Sequence, residues 1–214
     1  MLTLYDYLPS QNAWKVRQLL RHLGLPHRTE HVAIFEGGGR REAFLDVSPT
    51  GTVPAIVLDD GRALAESNAI LCFLADGTPY LPGDAFARAK VWQWLSFEQE
   101  RIESQVGALR HWTLTGKLAR RAPALVEAKR GGARRGLEIL DAQFGRRDFI
   151  AGDRYTVADL ALFAYASRAD EAEGLSLAPH PHLRAWIDRV RAQPGFLDEA
   201  FPYSIDPHSA RDLP

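Results

Sequence analysis

The stretch TGTVPAIVLDDG, residues 50–61, joins the pattern of a β-strand to a proline at the strand's start. Its apolar run 55–58 predicts the strand, and the turn residues 59–61 predict its end. Pro54 has no N–H to donate to a sheet, so an edge strand with an ordinary trans proline is one explanation. A cis bond before Pro54 is the other, and it would turn the main chain of Val53 toward an extended peptide ligand. The residues of this stretch alone leave both explanations open.

Outward from this stretch, the apolar periodicity predicts that the first third of the chain alternates in type. The predicted order is β-α-β-α-β-β-α, with strands at 2–7, 28–35, 54–58 and 62–64 and helices at 13–23, 40–47 and 67–75. Such an order is typical of an α/β layer with one parallel pair of strands and a terminal hairpin.

A linker and a change of period follow. The segment DGTPYLPGD, residues 76–84, has two prolines and two glycines and predicts a break between domains. Beyond it the pattern is helical, with helices expected at 85–115, 123–144, 156–170 and 181–193 and an irregular tail from 202. The sequence therefore predicts an α/β domain over 1–77 and an all-helical domain over 85–214. Thr156 and Asp159 form a variant of the capping box, which marks the start of a buried core helix.

The composition excludes several classes of protein. A formal net charge of −1 gives no surplus of cations for nucleic acid, so none is expected as a partner. Cys72 is the only cysteine, which allows no internal disulfide and favours a reducing, cytoplasmic location. No signal peptide and no membrane span are expected. The seven histidines are scattered, so no metal site is expected either.

The segment SPTGTVPAIVLDDGRALAESNAILCFLA, residues 48–75, resembles the glutathione-binding half of the cytosolic glutathione S-transferases, in particular the theta-like bacterial, serine-type members. The family pattern is N-P-x-G-x-V-P, a strand, and then E-S at a helix start. YTVADLALF, residues 155–163, also resembles the family's buried helix. The resemblance implies a thioredoxin-like N-terminal domain, an all-helical C-terminal domain and a homodimer. Ser48 in place of the family's Asn is a departure from the pattern.

The resemblance also implies how glutathione is bound. In the family the proline is cis and the main chain of the preceding valine pairs with the cysteinyl part of glutathione, roles that fall to Pro54 and Val53, beside Thr52. Glu66 is expected to pair with the ligand's amine, and Ser67, at a helix N-terminus, to bind the γ-glutamyl carboxylate. The alternative is that Ser67 caps the helix and Glu66 compensates the helix dipole.

The thiol partner is expected in the loop after the first strand. Ser10 resembles the serine that activates glutathione in serine-type members, Asn12 is the second candidate and Tyr7 the third. A donor aimed at sulfur stabilises the thiolate. The alternative is that Ser10 or Asn12 only caps the helix that follows.

Two further subsites have candidates. Arg40, or its neighbour Arg41, would hold the glycyl carboxylate unless it is an ordinary solvated arginine. The electrophile pocket is expected beside the long helix after the linker, with Arg101, Gln105 and Trp112 as candidates. The segment ERIESQ, residues 100–105, departs from related bacterial sequences and suggests an unusual substrate.

The expected activity is attack of the glutathione thiolate on a small hydrophobic electrophile, with glutathione as co-substrate and no metal. One alternative is another glutathione-dependent reaction: an isomerase, a lyase or a peroxidase. The other is a non-catalytic interaction protein that kept the fold. The absence of a cysteine near Ser10 argues against thiol–disulfide exchange as the main activity. The implied homodimer has candidate surfaces at 67–76, 85–115 and 123–144.

Overall fold

The computed structural model describes residues 1–213, and the chain divides into two compact units. The first unit contains residues 1–76 together with the tail from Pro194 onward. Its four-stranded sheet has the order β2-β1-β3-β4. The strands are β1 (Leu2–Asp6), β2 (His27–His31), β3 (Ala55–Val57) and β4 (Ala63–Ala65).

Strand pairing confirms the predicted α/β layer. The strands β1 and β2 are parallel, whereas β3 pairs antiparallel with both β1 and β4. The helices of this unit are α1 (Gln11–Leu23), α2 (Glu42–Leu45) and α3 (Ser67–Ala75), and short 3₁₀ turns lie at Ile34–Glu36, Gly38–Arg40 and Tyr203–Ile205. The predicted strand 28–35 ends early because the chain enters the first of these turns, after which Gly37 takes a φ of 81°.

The sheet separates two apolar clusters, because successive side chains of a strand point to opposite faces. One cluster joins the sheet to α1 and α3 and consists of Leu4, Val16, Leu20, Ile56 and Ile70. The other consists of Val32, Phe44 and Ala55, with Tyr5 packed against it. The alternation of Leu4 with Tyr5 and of Ala55 with Ile56 therefore fixes which side of the sheet each helix covers.

The second unit, residues 77–193, is helical as predicted. It contains α4 (Ala85–Phe97), α5 (Ala108–Leu114), α6 (Pro123–Phe144), α7 (Val157–Ala166) and α8 (Pro181–Arg191). A π-helical segment, Glu98–Gly107, joins α4 to α5. The predicted helix 85–115 is therefore continuous, but its middle part is π-helical, which the sequence did not predict. No helix within residues 1–213 is long and apolar enough to cross a membrane.

Glycines of α6 let that helix lie close to the π-helical segment. A Cβ atom on Gly136 would lie 2.8 Å from the carbonyl oxygen of Arg101, and one on Gly132 would lie 2.9 Å from the side chain of Gln105. A larger residue at Gly136 would push the helices apart, whereas at Gly132 the flexible Gln105 side chain would have to move. The glycines that look unfavourable for a helix therefore serve its packing.

The tail packs in the first unit, although the sequence assigned it to the helical domain. The Gln18 side chain donates to the carbonyl of Gly195 and accepts from the N–H of Leu197. Trp14 Nε1 donates to the carbonyl of Leu197 over 3.3 Å. These polar groups of α1 supply the partners that an irregular segment cannot find within itself.

The start of α7 confirms the predicted capping box at Thr156 and Asp159. The carboxylate of Asp159 accepts hydrogen bonds from the N–H groups of Thr156 and Ile150, from the Thr156 hydroxyl and from Trp186 Nε1. Burial raises the pKa of Asp159 to about 6, so the side chain is ionised above that pH. It ties α7, α8 and the preceding loop together as a charged acceptor.

We expect Asp159→Ala to destabilise the second unit by more than about 3 kcal/mol, because three buried N–H donors lose their acceptor at a cost of about 1–3 kcal/mol each. Urea unfolding followed by circular dichroism measures the loss. Asp153→Ala, at an exposed position of the preceding loop, is the matched control. Equal unfolding midpoints for the two variants would contradict the role assigned to Asp159.

Candidate functional site

Ser10 lies at the start of α1, where it is the N-cap. Its Oγ accepts a hydrogen bond from the N–H of Ala13 over 3.2 Å. A serine hydroxyl has one proton to donate and two lone pairs, so capping leaves the proton for another acceptor. The capping role and the thiol-activating role are therefore compatible at Ser10.

Asn12 and Ser67 connect the starts of two helices. Ser67 Oγ donates to Asn12 Oδ1 over 3.2 Å, which links the first turn of α1 to the first residue of α3. The N-termini of both helices, with their partial positive charge, thus lie on one side of the unit. Asn12 and Ser67, which are 55 positions apart in sequence, meet here. Ser10, the N-cap of α1, precedes Asn12 in the same turn.

Glu66 has an unusual backbone immediately before α3. Its φ is 69° and its ψ 112°, and it is the only non-glycine residue with a positive φ within residues 1–213. Its exposed side chain makes no capping bond to the helix, and Ser67 is the first helical residue rather than the cap. The N-cap is therefore Glu66 and not Ser67, while compensation of the helix dipole by Glu66 stays an alternative. Strained residues of this kind concentrate at functional sites.

The segment before β3 contains Pro54. The Val53–Pro54 peptide bond is cis. The pairing of β3 with β1 and β4 begins at Ala55, so Val53 lies before the paired residues of the sheet. Ser48 Oγ donates to the carbonyl of Thr52 over 2.9 Å, which shows that the serine in place of the family's Asn still braces this loop.

Arg40 lies beside the segment that contains Thr52. It ends the 3₁₀ turn Gly38–Arg40, and its Nη1 lies 3.4 Å from where a Cβ atom of Gly51 would be. The main chains of Gly39 and Gly51 approach so closely that a Cβ atom on either would overlap with the other's carbonyl oxygen. Arg41 instead lines a separate recess next to β2. Arg40 is therefore the arginine that the structure shows next to the loop before β3.

Tyr7 is buried and its hydroxyl donates to Asp206 Oδ2 over 3.0 Å. Burial first, and then the hydrogen bond and charge of Asp206, raise the pKa of Tyr7 above its ordinary value. The hydroxyl is thus already committed to a carboxylate, which removes Tyr7 from the candidates for thiol activation. Asp206 was missed from the sequence because it lies 199 positions away in the tail.

The three residues predicted for the electrophile pocket do not come together. Arg101 and Gln105 line a groove of about 410 Å³ against α6, whose other wall includes Lys129, Gly132 and Ile139. The ring of Trp112 instead lies 5.2 Å from the guanidinium carbon of Arg121. The groove is within the second unit and has the size of many small-molecule sites.

Two other features bear on the chemistry. Within residues 1–213, no three His, Cys, Asp or Glu side chains are grouped closely enough to hold a metal ion. Cys72 is the sixth residue of α3 and is half-buried. The loop around Ser10 therefore presents a hydroxyl and an amide as its polar side chains.

Comparison with known proteins covers most of the chain. Residues 9–76 match the family profile described as glutathione S-transferase, N-terminal domain, and residues 101–194 match its C-terminal domain. Glutathione S-transferase 3 of Zea mays is 31% identical over 91% of both chains. Disulfide-bond oxidoreductase YfcG of Escherichia coli is 28% identical over 91% of this chain and 92% of its own.

Solved structures agree in fold. A glutathione S-transferase from Xanthobacter autotrophicus Py2 superimposes with a TM-score of 0.89 and 36% identity, covering 96% of this chain and 99% of its own. A glutathione transferase family member from Pseudomonas fluorescens Pf-5, solved with two glutathione molecules bound, has a TM-score of 0.80 and 30% identity, covering 91% and 89%. The architecture, a thioredoxin-like sheet unit and a helical unit, and the matched residues establish that this chain belongs to the glutathione S-transferase family.

Proposed function

We propose that this protein is a glutathione transferase that activates the thiol of glutathione for attack on a small hydrophobic electrophile. The observation that carries the proposal is the meeting of α1 and α3 at their N-termini, where Ser10, Asn12 and Ser67 lie together. Glutathione has two carboxylates, an amine and a thiol. Helix N-termini suit a carboxylate, and a hydroxyl donor next to one suits a thiolate.

Each end of glutathione has a partner in this proposal. The γ-glutamyl carboxylate binds Ser67 at the start of α3, and the amine pairs with Glu66. The main chain of Val53, between Thr52 and Pro54, pairs with the cysteinyl residue as an added strand would. Arg40 binds the glycyl carboxylate. In support, Arg40 and Thr52 lie on the two loops that Gly39 and Gly51 hold in contact.

The chemical step requires a thiolate. A free thiol has a pKa of about 8.5, so only a small fraction is ionised at neutral pH. The Ser10 hydroxyl donates to the sulfur, while the N-terminus of α1 adds its partial positive charge. Sulfur then forms a bond to the electrophile, whose leaving group or π-electron pair takes up the negative charge. Asn12 is the second candidate for the donor.

Fewer residues of the structure bear on the electrophile than on glutathione. Arg101 and Gln105 are retained as candidates for electrophile binding because they share one groove, whereas Trp112 is set apart from it. The relative named as a disulfide-bond oxidoreductase suggests a second reaction for the same bound thiolate, reduction of a disulfide by two glutathione molecules. Isomerase, lyase and peroxidase reactions would begin with the same binding and activation of glutathione. A panel of such substrates separates them.

A non-catalytic role is the competing proposal, since the fold alone does not establish activity. Binding is the first discriminator. A catalyst of this type is retained on immobilised glutathione and raises the thiolate absorbance when glutathione is added. A protein that does neither belongs with the interaction proteins. We place the protein in the cytoplasm, where glutathione is reduced and the single cysteine is not at risk of pairing.

We expect Ser10→Ala to lower turnover well over tenfold while glutathione still binds, because the sulfur loses its hydroxyl donor. The loss of the cap costs about 1 kcal/mol of stability, which leaves the fold intact. Ser10→Thr keeps both the cap and the donor and is the matched control, expected to retain most of the turnover. Steady-state kinetics and calorimetric titration with glutathione measure both quantities. Unchanged turnover in Ser10→Ala would transfer the role to Asn12.

We expect Glu66→Gly to be about 1 kcal/mol more stable than Glu66→Ala, because glycine relieves the positive φ at that position while losing part of the gain to chain entropy. Both variants lose the carboxylate and are expected to bind glutathione roughly fivefold or more weakly. Urea unfolding and titration measure the two effects. Equal stability would show that the backbone is unstrained, and unchanged affinity would remove Glu66 from the amine subsite.

We also propose a homodimer, with surfaces from α3, α4 and α6. In support, large apolar side chains are exposed on the first two of these helices: Phe73, Phe86 and Trp92. Sedimentation velocity is expected to give twice the chain mass, and Trp92→Glu to shift the protein toward monomer. Arg154→Glu, an exposed charge change in a loop, is the control. A monomeric wild-type protein at micromolar concentration would contradict the proposal.

A further inference from the structure

The tail carries a compact turn, residues 203–209, that packs on the buried end of β1. The two carboxylate oxygens of Asp206 divide their roles: Oδ2 accepts from the Tyr7 hydroxyl over 3.0 Å, and Oδ1 accepts from the N–H of His208 over 2.8 Å. The ring of Tyr203 lies 6.5 Å from the ring of Tyr7. This tail turn therefore holds Tyr7 by a charge-assisted hydrogen bond and by aromatic contact.

The same tail turn reaches the loop after β2. His208 Nδ1 lies 3.3 Å from Glu36 Oε1, and the neighbouring Phe35 packs edge-on against Tyr7 at 5.8 Å between ring centres. The 3₁₀ turn Ile34–Glu36 is thus fixed at two points, by its own buried aromatic ring and by the imidazole of the tail. An exposed turn gains order from such contacts, since its own short hydrogen bonds contribute little.

The contacts continue to the arginine of the proposed glutathione site. The N–H of Gly38 donates to the carbonyl of Ala33, and the N–H of Arg40 donates to the carbonyl of Gly37. The next turn, Gly38–Arg40, is therefore built directly on Ile34–Glu36. Gly39 in turn abuts Gly51, which precedes Thr52 and Val53. One continuous set of contacts joins the tail turn to the loop before β3.

We propose that the tail turn is a positioning element of the glutathione site, in which Asp206 and His208 hold the Arg40 loop against Gly51. This inference rests on the proposed function, because it assigns to these contacts the affinity for the glycyl end of glutathione. Asp206 and His208 touch no ligand and act through Tyr7 and Glu36. Ser10 is fixed by the main chain, since its N–H donates to the Tyr7 carbonyl and not to the Tyr7 side chain, so we expect the thiol end of the site to be kept when Asp206 or His208 is lost.

Two parts of the tail make different kinds of contact, which distinguishes the positioning role of the tail turn from mere covering of apolar surface. The earlier part of the tail, around Gly195 and Leu197, satisfies polar groups of α1 and covers Trp14. The Asp206 and His208 side chains are only 16% and 28% exposed, so their hydrogen bond and ion pair are largely shielded from solvent. The contacts made by Asp206 and His208 are polar and directional, as expected for residues that set the position of a loop.

The test compares Asp206→Ala with Asp206→Asn, which keeps an oxygen for the Tyr7 hydroxyl, and with Arg211→Ala, an exposed charge in the same tail. Glu36→Ala removes the other end of the contacts from an exposed position, where folding is not at risk. Hydrogen–deuterium exchange without ligand reports on the peptide 34–41. Calorimetric titration with glutathione and steady-state kinetics report on affinity and turnover.

We expect Asp206→Ala and Glu36→Ala to exchange faster over 34–41 and to bind glutathione about three- to tenfold more weakly, with kcat at saturating glutathione within about twofold of wild type. Asp206→Asn is expected to restore most of the affinity, and Arg211→Ala to behave as wild type. Faster exchange confined to the tail, or unchanged affinity in variants of a wild type that binds glutathione, would overturn the positioning role alone. A wild type that does not bind glutathione would overturn the proposed function, and the affinity claim with it.

Discussion

The approach of two glycine main chains, Gly39 and Gly51, is the constraint on which the candidate site depends. Neither position has room for a Cβ atom, so the loop that carries Arg40 and the loop that carries Thr52 and Val53 can meet backbone to backbone. The glycines of α6 allow two helices to approach, and here two glycines allow two loops to approach. Without that contact the arginine would be one more solvated side chain, and the extended segment before β3 would lack a neighbour for the far end of a peptide ligand.

A second constraint acts at the opposite end of the proposed ligand. The sheet brings α1 and α3 side by side, because Val16, Leu20 and Ile70 are buried against Leu4 and Ile56. Both helices begin on the same side, and the Asn12–Ser67 hydrogen bond joins their first turns. Core packing therefore places two positively polarised helix ends next to the Ser10 hydroxyl. The fold prepares an environment for anions before any ligand is present.

Local sequence patterns predicted the elements that local physics determines. The period of apolar residues gave the order of strands and helices, and the Thr156–Asp159 spacing predicted the cap of α7. The partner of Tyr7 could not be predicted, because Asp206 lies in an irregular tail whose only signal is proline and polar residues. The sequence does not indicate which distant carboxylate packs next to Tyr7, at the end of β1.

The electrophile candidates show a different limit. In a regular α-helix, positions 101, 105 and 112 share one face, since they are separated by four and then seven residues. The π-helical segment Glu98–Gly107 takes more residues per turn, and it rotates Trp112 out of the groove that Arg101 and Gln105 line. The glycines of α6 that accept this segment were visible in the sequence, but their meaning depends on the partner helix.

The most direct test of the proposed glutathione site is a crystal structure of the protein with glutathione bound. We expect main-chain hydrogen bonds between Val53 and the cysteinyl residue, the glycyl carboxylate within reach of Arg40, and the sulfur within hydrogen-bond distance of Ser10 Oγ. A glutathione whose sulfur points away from the start of α1, or that binds away from Val53, would contradict it.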